Sequence, residues 1–298
     1  MSAPDAVLYD APGPKARRRA FIGTVVAGLL LLGLVAVVVK RLADQGQFDS
    51  ELWGPLIDPS HESFDAVWRL IRLGLTATLV AAAWSIALSL VVGTLIGTAR
   101  MMLGRVLRIP LVGFIELFRG LPVVITIFFV WQVLPELGID VSPFPGSNGL
   151  WYLVIGLTLY NSVIIAEILR AGVTSLPRGQ GEAARAIGMT EGQTMRIVLL
   201  PQAFRTMLPA LISQLVVVLK DTSLAAVLGL YTELLRRGNI IALNLDNPIQ
   251  TLFVVGLIFI LINFALSRLA VWTERRLSQR GATGGERMLR ESENAVGA

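Results

Sequence analysis

The sequence predicts an all-α integral membrane protein of about six transmembrane helices, on three observations. The composition is 54% hydrophobic and only 16% charged, which is too apolar for an ordinary soluble domain. Six apolar runs lie near residues 21–39, 72–99, 111–134, 150–170, 205–230 and 250–272, and at 1.5 Å per residue they are of the length needed to cross about 30 Å of hydrocarbon. Lysines and arginines cluster between those runs, predominantly on alternate sides, as the positive-inside rule requires. That distribution accounts for the net charge of +5 without a nucleic-acid partner.

Along the chain, residues 1–20 read as a tail, Pro/Ala/Gly-rich and ending in Lys15, Arg17, Arg18 and Arg19. The run at 21–39 is longer than a signal-peptide core and is followed by Lys40 and Arg41 rather than a small-residue cleavage site, so it reads as an uncleaved anchor helix. Residues 40–71 carry Asp44, Asp49, Glu51, Asp58 and Glu62 and read as an external loop and interfacial segment. The sole histidine, His61, sits there and reads as a solvated side chain. In the second run Ala81, Ser85, Ser89, Gly93 and Gly97 recur at strict four-residue spacing. Such a smooth face lets helix backbones approach closely in lipid, where no hydrophobic force drives association. Residues 276–298 form a polar second tail. Placing the N-terminus inside puts Arg100, Arg105, Arg108, the segment from Arg170 to Arg205, and Arg268 to Arg290 on the cytoplasmic side. Both termini are then cytoplasmic.

Two groups of charges fall inside apolar runs, where ionisable side chains are costly unless paired or facing a wet cavity. Glu116 and Arg119 are three apart, close enough on a helix to pair, and Gly120 and Pro122 loosen the helix just beyond. Lys220 and Asp221 are adjacent, so on a helix they point about 100° apart, and Thr222 and Ser223 add hydroxyls at the same level. Two cations and two anions suit a zwitterionic ligand, an α-carboxylate taking Arg119 or Lys220 and an α-ammonium taking Glu116 or Asp221; neutralisation within or between subunits is the competing reading. Glu167 and Arg170 form another three-apart pair at the inner end of the fourth run, suited to fixing its junction with the following loop.

That loop, Gly172 to Leu208, is the most informative segment. Pro177 ends the preceding helix, Gln180 to Ile187 reads as a short helix closed by Gly188, and Thr190 with Gln193 forms a capping box for a second helix running toward Leu200 and Pro201. Glu182-Ala183-Ala184, Gly188 and Val198-Leu199-Leu200-Pro201 resemble the "EAA" signature of bacterial ABC importer permeases, with Val198 where isoleucine is usual. The segments Glu116 to Pro122, Ala166 to Gly172, Leu200 to Ala203 and Lys220 to Leu224 resemble the polar amino-acid branch of that family, Ala171 standing where glycine is often found. The resemblance implies a permease core over 72–275 with a coupling loop at 173–204, in which Glu182, Ala183, Ala184, Gly188 and Pro201 engage a separate ATPase dimer. It further implies a second permease, identical or homologous, an extracytoplasmic solute-binding protein, a polar amino acid as substrate, glutamate or glutamine by weak preference, and a bacterial cell membrane. Glu116, Arg119, Lys220, Asp221, Thr222 and Ser223 would line the substrate path.

No Gly-x-x-x-x-Gly-Lys-Ser/Thr loop occurs, so ATP and magnesium belong on a partner subunit and this chain is expected to bind no cofactor. With one histidine and no cysteine, neither a metal site nor a nucleophile–base pair is expected. The alternative is an ion-coupled secondary carrier or a channel, which would leave the 172–208 loop without a partner.

Overall fold

A computed structural model of the chain describes residues 13–269 and 271–272. The 276–298 tail and residues 1–12 of the first tail lie outside them. The helices run α1 (Pro14–Asp44), α2 (Ser50–Ile57), α3 (Phe64–Met102), α4 (Arg105–Gly120), α5 (Val123–Glu136), α6 (Asn148–Ser175), α7 (Arg178–Ala186), α8 (Glu191–Gln193), a π-helical turn (Thr194–Leu199), α9 (Leu200–Thr206), α10 (Leu208–Asp221), α11 (Leu224–Leu228), α12 (Leu234–Asn244) and α13 (Pro248–Leu269). Five segments among the described residues are long and apolar enough to span a membrane: α1, α3, α6, the stretch Leu208–Leu228, and α13. A sixth span arises if α4 and α5 are taken together, although they meet at 111°.

That bend replaces the straight third helix that the run at 111–134 suggests. Gly120 ends α4, Leu121 is extended, and Pro122 stands at the N-cap of α5 with no N–H to continue the ladder. α1 also departs from the sequence reading. It begins at Pro14, a proline at the first helical position whose missing N–H costs nothing there, so Lys15 to Arg19 lie within its first turns. None of its described residues is buried, so it stands unpacked against the rest of its own chain.

Residues 40–71 fold more than a loop reading suggests. The Trp53 Nε1–H donates to the Gln47 carbonyl at 3.0 Å, and the Trp68 Nε1–H to the Leu56 carbonyl at 3.0 Å. From α13 and the turn before it, the Gln250 amide donates to the Gln47 carbonyl at 2.6 Å and the Asn247 amide to the Leu52 carbonyl at 3.0 Å. Leu56 is buried with Val67, Ile71, Leu234, Ile241 and Val255. The segment therefore packs over the start of α3 and against α12 and the start of α13, and α3 begins eight residues before position 72. Beside it, between the spans, Glu233 caps α12. Its carboxylate accepts from the Leu235 and Arg236 N–H groups at 2.8 Å and from the Thr78 hydroxyl at 3.4 Å. Burial pushes its pKa up to about 7, against the pull of those hydrogen bonds toward the ionised form.

The bundle is organised around α6, the most buried span. The small-residue stripe of α3 lies on it: Ala81, Ser85 and Ser89 are fully buried, and Gly93 and Gly97 are buried too. A Cβ on Gly93 would stand 2.8 Å from Ile165 Cβ and from the Ser162 carbonyl oxygen, and one on Gly97 3.0 Å from the Ala166 carbonyl oxygen. From its other sides α6 receives α5 and α9 over its own glycines: a Cβ on Gly156 would meet Ile127 Cα at 2.7 Å, and one on Gly172 the Ala203 carbonyl oxygen of α9 at 3.2 Å and the side chain of Met207, just beyond α9, at 2.5 Å. Between α6 and α10 the Gln214 amide donates to Asn161 Oδ1 at 2.6 Å.

Gly93→Val is therefore expected to lower the thermal stability of the purified protein by about 1–3 kcal/mol, the usual cost of overpacking. Gly28→Ala, at a position of α1 with nothing within 4 Å, is expected to leave it unchanged. Equal midpoints for the two variants in a thermal unfolding assay would exclude the close α3–α6 seam.

Candidate functional site

The 172–208 loop is a rigid structure built from local signals. α6 stops at Ser175 because Leu176 precedes a proline and takes an extended conformation. α7 carries Glu182 and Ala183 exposed and Ala184 buried. It closes on Gly188 at φ +87°, where the Gly188 N–H donates to the Arg185 carbonyl at 3.0 Å and the Met189 N–H to the Ala184 carbonyl at 3.2 Å. This is the Schellman arrangement, and it needs a residue that tolerates the left-handed region. The Thr190 hydroxyl then accepts from the Gln193 N–H at 3.3 Å while Gln193 Oε1 accepts from the Thr190 N–H at 2.8 Å, completing the capping box.

The second helix does not stop at Pro201. It widens into the π-helical turn Thr194–Leu199, in which the Leu200 N–H reaches the Met195 carbonyl, and continues through α9. Pro201 has no N–H, and in an α-helix its ring would press on the carbonyl four residues back; the wider turn lies where that strain would fall. The Gln202 amide ties the two arms, donating to the Val198 carbonyl at 3.0 Å and to Gln180 Oε1 at 3.4 Å. Ile187 at the tip is 80% exposed, a large apolar side chain standing free at the end of a braced elbow.

Where the loop leaves the bundle, Glu167 and Arg170 pair as their spacing suggests, Arg170 Nε donating to Glu167 Oε2 at 3.1 Å. Glu167 Oε1 takes a second guanidinium, Arg100 Nη1 of α3. Arg100 is 67 positions from its partner, and sequence spacing holds no sign of the pair; its one signal was its place at the end of an apolar helix.

The buried-charge candidates fall in two separate places. Arg119 Nη1 donates to Glu116 Oε1 at 3.2 Å, both side chains about half exposed, at the end of α4 and within electrostatic reach of Arg100. Lys220 and Asp221 end α10. Among the described residues neither has an ion-pair partner within 4.0 Å, and no hydrogen bond joins them to Glu116 or Arg119. The Thr222 hydroxyl, fully buried, donates to the Leu219 carbonyl and the Ser223 hydroxyl to the Lys220 carbonyl, each at 2.7 Å. Their protons close the helix end. Lys220 borders a cavity of about 300 Å³ between α10 and α13, with Ser213 and Ser267 in its wall. Within one chain, then, the two charge groups do not converge, and the adjacent cation and anion at 220 and 221 lack partners.

Residues 85–279, well over half of the chain, match the family of binding-protein-dependent transport system inner membrane components. The chain belongs to that family. It is 43% identical over 237 residues to the glutamate transport system permease protein GluD of Corynebacterium glutamicum, covering 79% of this chain and 83% of that one. It is 33% identical over 219 residues to the glutamine transport system permease protein GlnP of Escherichia coli K12, covering 72% and 97%. Among solved structures it resembles an amino acid ABC transporter with histidines, at 28% identity and a TM-score of 0.63 over 72% of this chain and 97% of that one. The likeness to ABC permeases read from Glu182 to Pro201 is thus borne out. As an inner membrane component, the chain is a transporter subunit rather than an enzyme, and membership implies pairing of permeases and an ATPase in trans.

Proposed function

We propose that this permease forms the translocation path of an ATP-driven importer of polar amino acids, glutamate or glutamine in class, in the bacterial cell membrane. The observation that supports the coupling mechanism best is the loop itself. Two helical arms are braced against each other by Gln180 and Gln202 and fixed at their elbow by Gly188, with Ile187 free to enter a cleft of the ATPase dimer. ATP and magnesium sit on that dimer. A solute-binding protein delivers substrate at the opposite face, over the cap formed by residues 40–71. The names of the relatives, which carry glutamate and glutamine, support the substrate class.

Both termini are cytoplasmic in this reading, because that orientation gathers the arginines of the loop and of the α3–α4 turn on the inner side. Substrate charge is met by Arg119 and Lys220 for the carboxylate and by Glu116 and Asp221 for the ammonium, with Thr222 and Ser223 accepting. Since the two groups do not meet within one chain, each lines a different stretch of the path or faces its counterpart across the permease pair.

Three outcomes are expected. With no native cysteine, single cysteines at Asp58 and Ser147 should label from outside intact cells and one at Gln180 only after permeabilisation; external labelling at Gln180 would reverse the orientation. Gly188→Val should keep expression and assembly but abolish ATP-driven uptake by the reconstituted complex. Nothing lies within 4 Å of that position, so the cost is the left-handed backbone alone, about 1–2 kcal/mol; Gly188→Asn should retain most activity, and full activity of the valine variant would refute the elbow. Finally, Arg119→Ala and Lys220→Ala should each abolish uptake with the ATPase still bound. Rescue of Arg119→Ala by Glu116→Ala would make that pair structural, since removing both partners of a pair is often nearly neutral; rescue of Lys220→Ala by Asp221→Ala would show that those two charges only balance each other without direct pairing.

A further inference from the structure

Beyond the transport path, the loop end of the bundle holds a cavity of about 540 Å³ lined by Arg100, Arg108 and Arg170 together with Met101, Val112, Val173, Thr174 and Met195. It lies where α3 ends, α4 begins, α6 leaves the bundle and the π-helical turn of the loop passes. Its charge is unbalanced. Arg100 and Arg170 share the single carboxylate of Glu167. Arg108 has no carboxylate within 4.0 Å among the described residues, and the nearby Glu116 is taken by Arg119. Four guanidiniums, at 100, 108, 119 and 170, thus share one neighbourhood with two carboxylates. Like charges so gathered favour a bound anion, and guanidinium forks match the paired oxygens of a phosphate.

The rest of the wall selects among anions. Met101, Val112, Val173 and Met195 are apolar, so the cavity suits a phosphate that carries carbon rather than a bare ion. The Thr174 hydroxyl already donates to the Arg170 and Ala171 carbonyls and adds no competing charge. The arginines stand within six residues of Met102 and Ser175, where the spanning helices α3 and α6 end, and such ends are where a span passes from hydrocarbon toward the head groups. Basic pockets between helices at this level hold anionic head groups.

We propose that this cavity is a phosphate-ester site occupied by the head group of an anionic phospholipid, which neutralises Arg108 and fastens the start of α4 to the end of α6 and to Met195 of the loop. Which leaflet supplies the lipid rests on the orientation proposed above; binding itself does not, and a test in detergent is blind to it.

The test uses the full chain, purified as its complex in detergent. Native mass spectrometry follows exchange into phosphatidylglycerol or phosphatidylcholine, and in parallel a thermal shift is read with millimolar inorganic phosphate or chloride. Wild type is expected to retain one phosphatidylglycerol per permease and no phosphatidylcholine. Arg108→Gln, an exposed change with little folding cost, should lower the retained fraction about tenfold, as loss of a charge-assisted contact predicts. Val112→Trp should do the same by filling the cavity without changing its charge. Stabilisation by phosphate that vanishes in Arg108→Gln, without lipid retention, would keep the phosphate chemistry and replace the lipid by a free anion. Equal retention of phosphatidylglycerol in wild type and both variants, or neither lipid nor phosphate effect, would overturn the site. Failure here leaves the labelling and uptake results untouched, so it is distinguishable from failure of the transport reading.

Discussion

The closeness of α3 to α6 is the constraint on which the rest of the architecture depends. In lipid the hydrophobic effect does not press helices together, so a bundle must be held by van der Waals contact at short range and by a few polar links. α6 obtains that contact by presenting or receiving glycine on several sides: Gly93 and Gly97 from α3, Gly156 toward α5, Gly172 toward α9. At Gly93 and Gly156 one methyl group would meet the neighbouring backbone at 2.8 and 2.7 Å, at Gly97 at 3.0 Å, and at Gly172 it would displace the Met207 side chain. The hydroxyls of Ser85 and Ser89 are buried in the seam without a hydrogen-bond partner among the described residues. Their place there is explained by size, a small side chain being the requirement and its polarity a tolerated cost.

A helix clamped in this way transmits displacement along its axis better than it absorbs it. Its loop end is pinned by Glu167 between Arg100 and Arg170, and Gly172 sets α6 directly against Ala203 and Met207. The loop between these points is shaped by hydrogen bonds on both arms and across the elbow. In the coupling proposed above, a push on the exposed Ile187 would reach α6 and α9 through short hydrogen-bonded helices. The sharpest change of direction lies elsewhere, at the 111° break between α4 and α5, beside the Glu116–Arg119 pair.

What could be read from the sequence follows from how local its causes are. The smooth stripe of α3, the stop at Pro177, the glycine closure at Gly188 and the Thr190–Gln193 box depend on residues within one to four positions of each other, and all appear as written. The docked cap of residues 40–71, the early start of α1, the sharpness of the α4–α5 bend and the Arg100–Glu167 pair depend on partners far away in the chain or on the lipid boundary, and periodicity is blind to them. The loop beyond Pro201 shows the same limit at short range: proline signals a break in a helix, but a π-helical turn absorbs it, and which response occurs depends on the packing of Thr194 and Met195.

The charges show why depth in the membrane cannot be judged from position in an apolar run. Glu116 and Arg119 lie well inside the run at 111–134, yet the bend returns them to the neighbourhood of Arg100, where they pair while half exposed. Lys220 and Asp221 follow a straight helix away from the loop and reach a level where neither finds a partner in its own chain. A cation and an anion side by side without an ion-pair partner within 4.0 Å among the described residues are unfavourable in a dry apolar setting. In the substrate path proposed above, water, the second permease or the charged substrate itself would complete such a pair, which is the physical reason for placing this end of α10 toward the path rather than toward lipid.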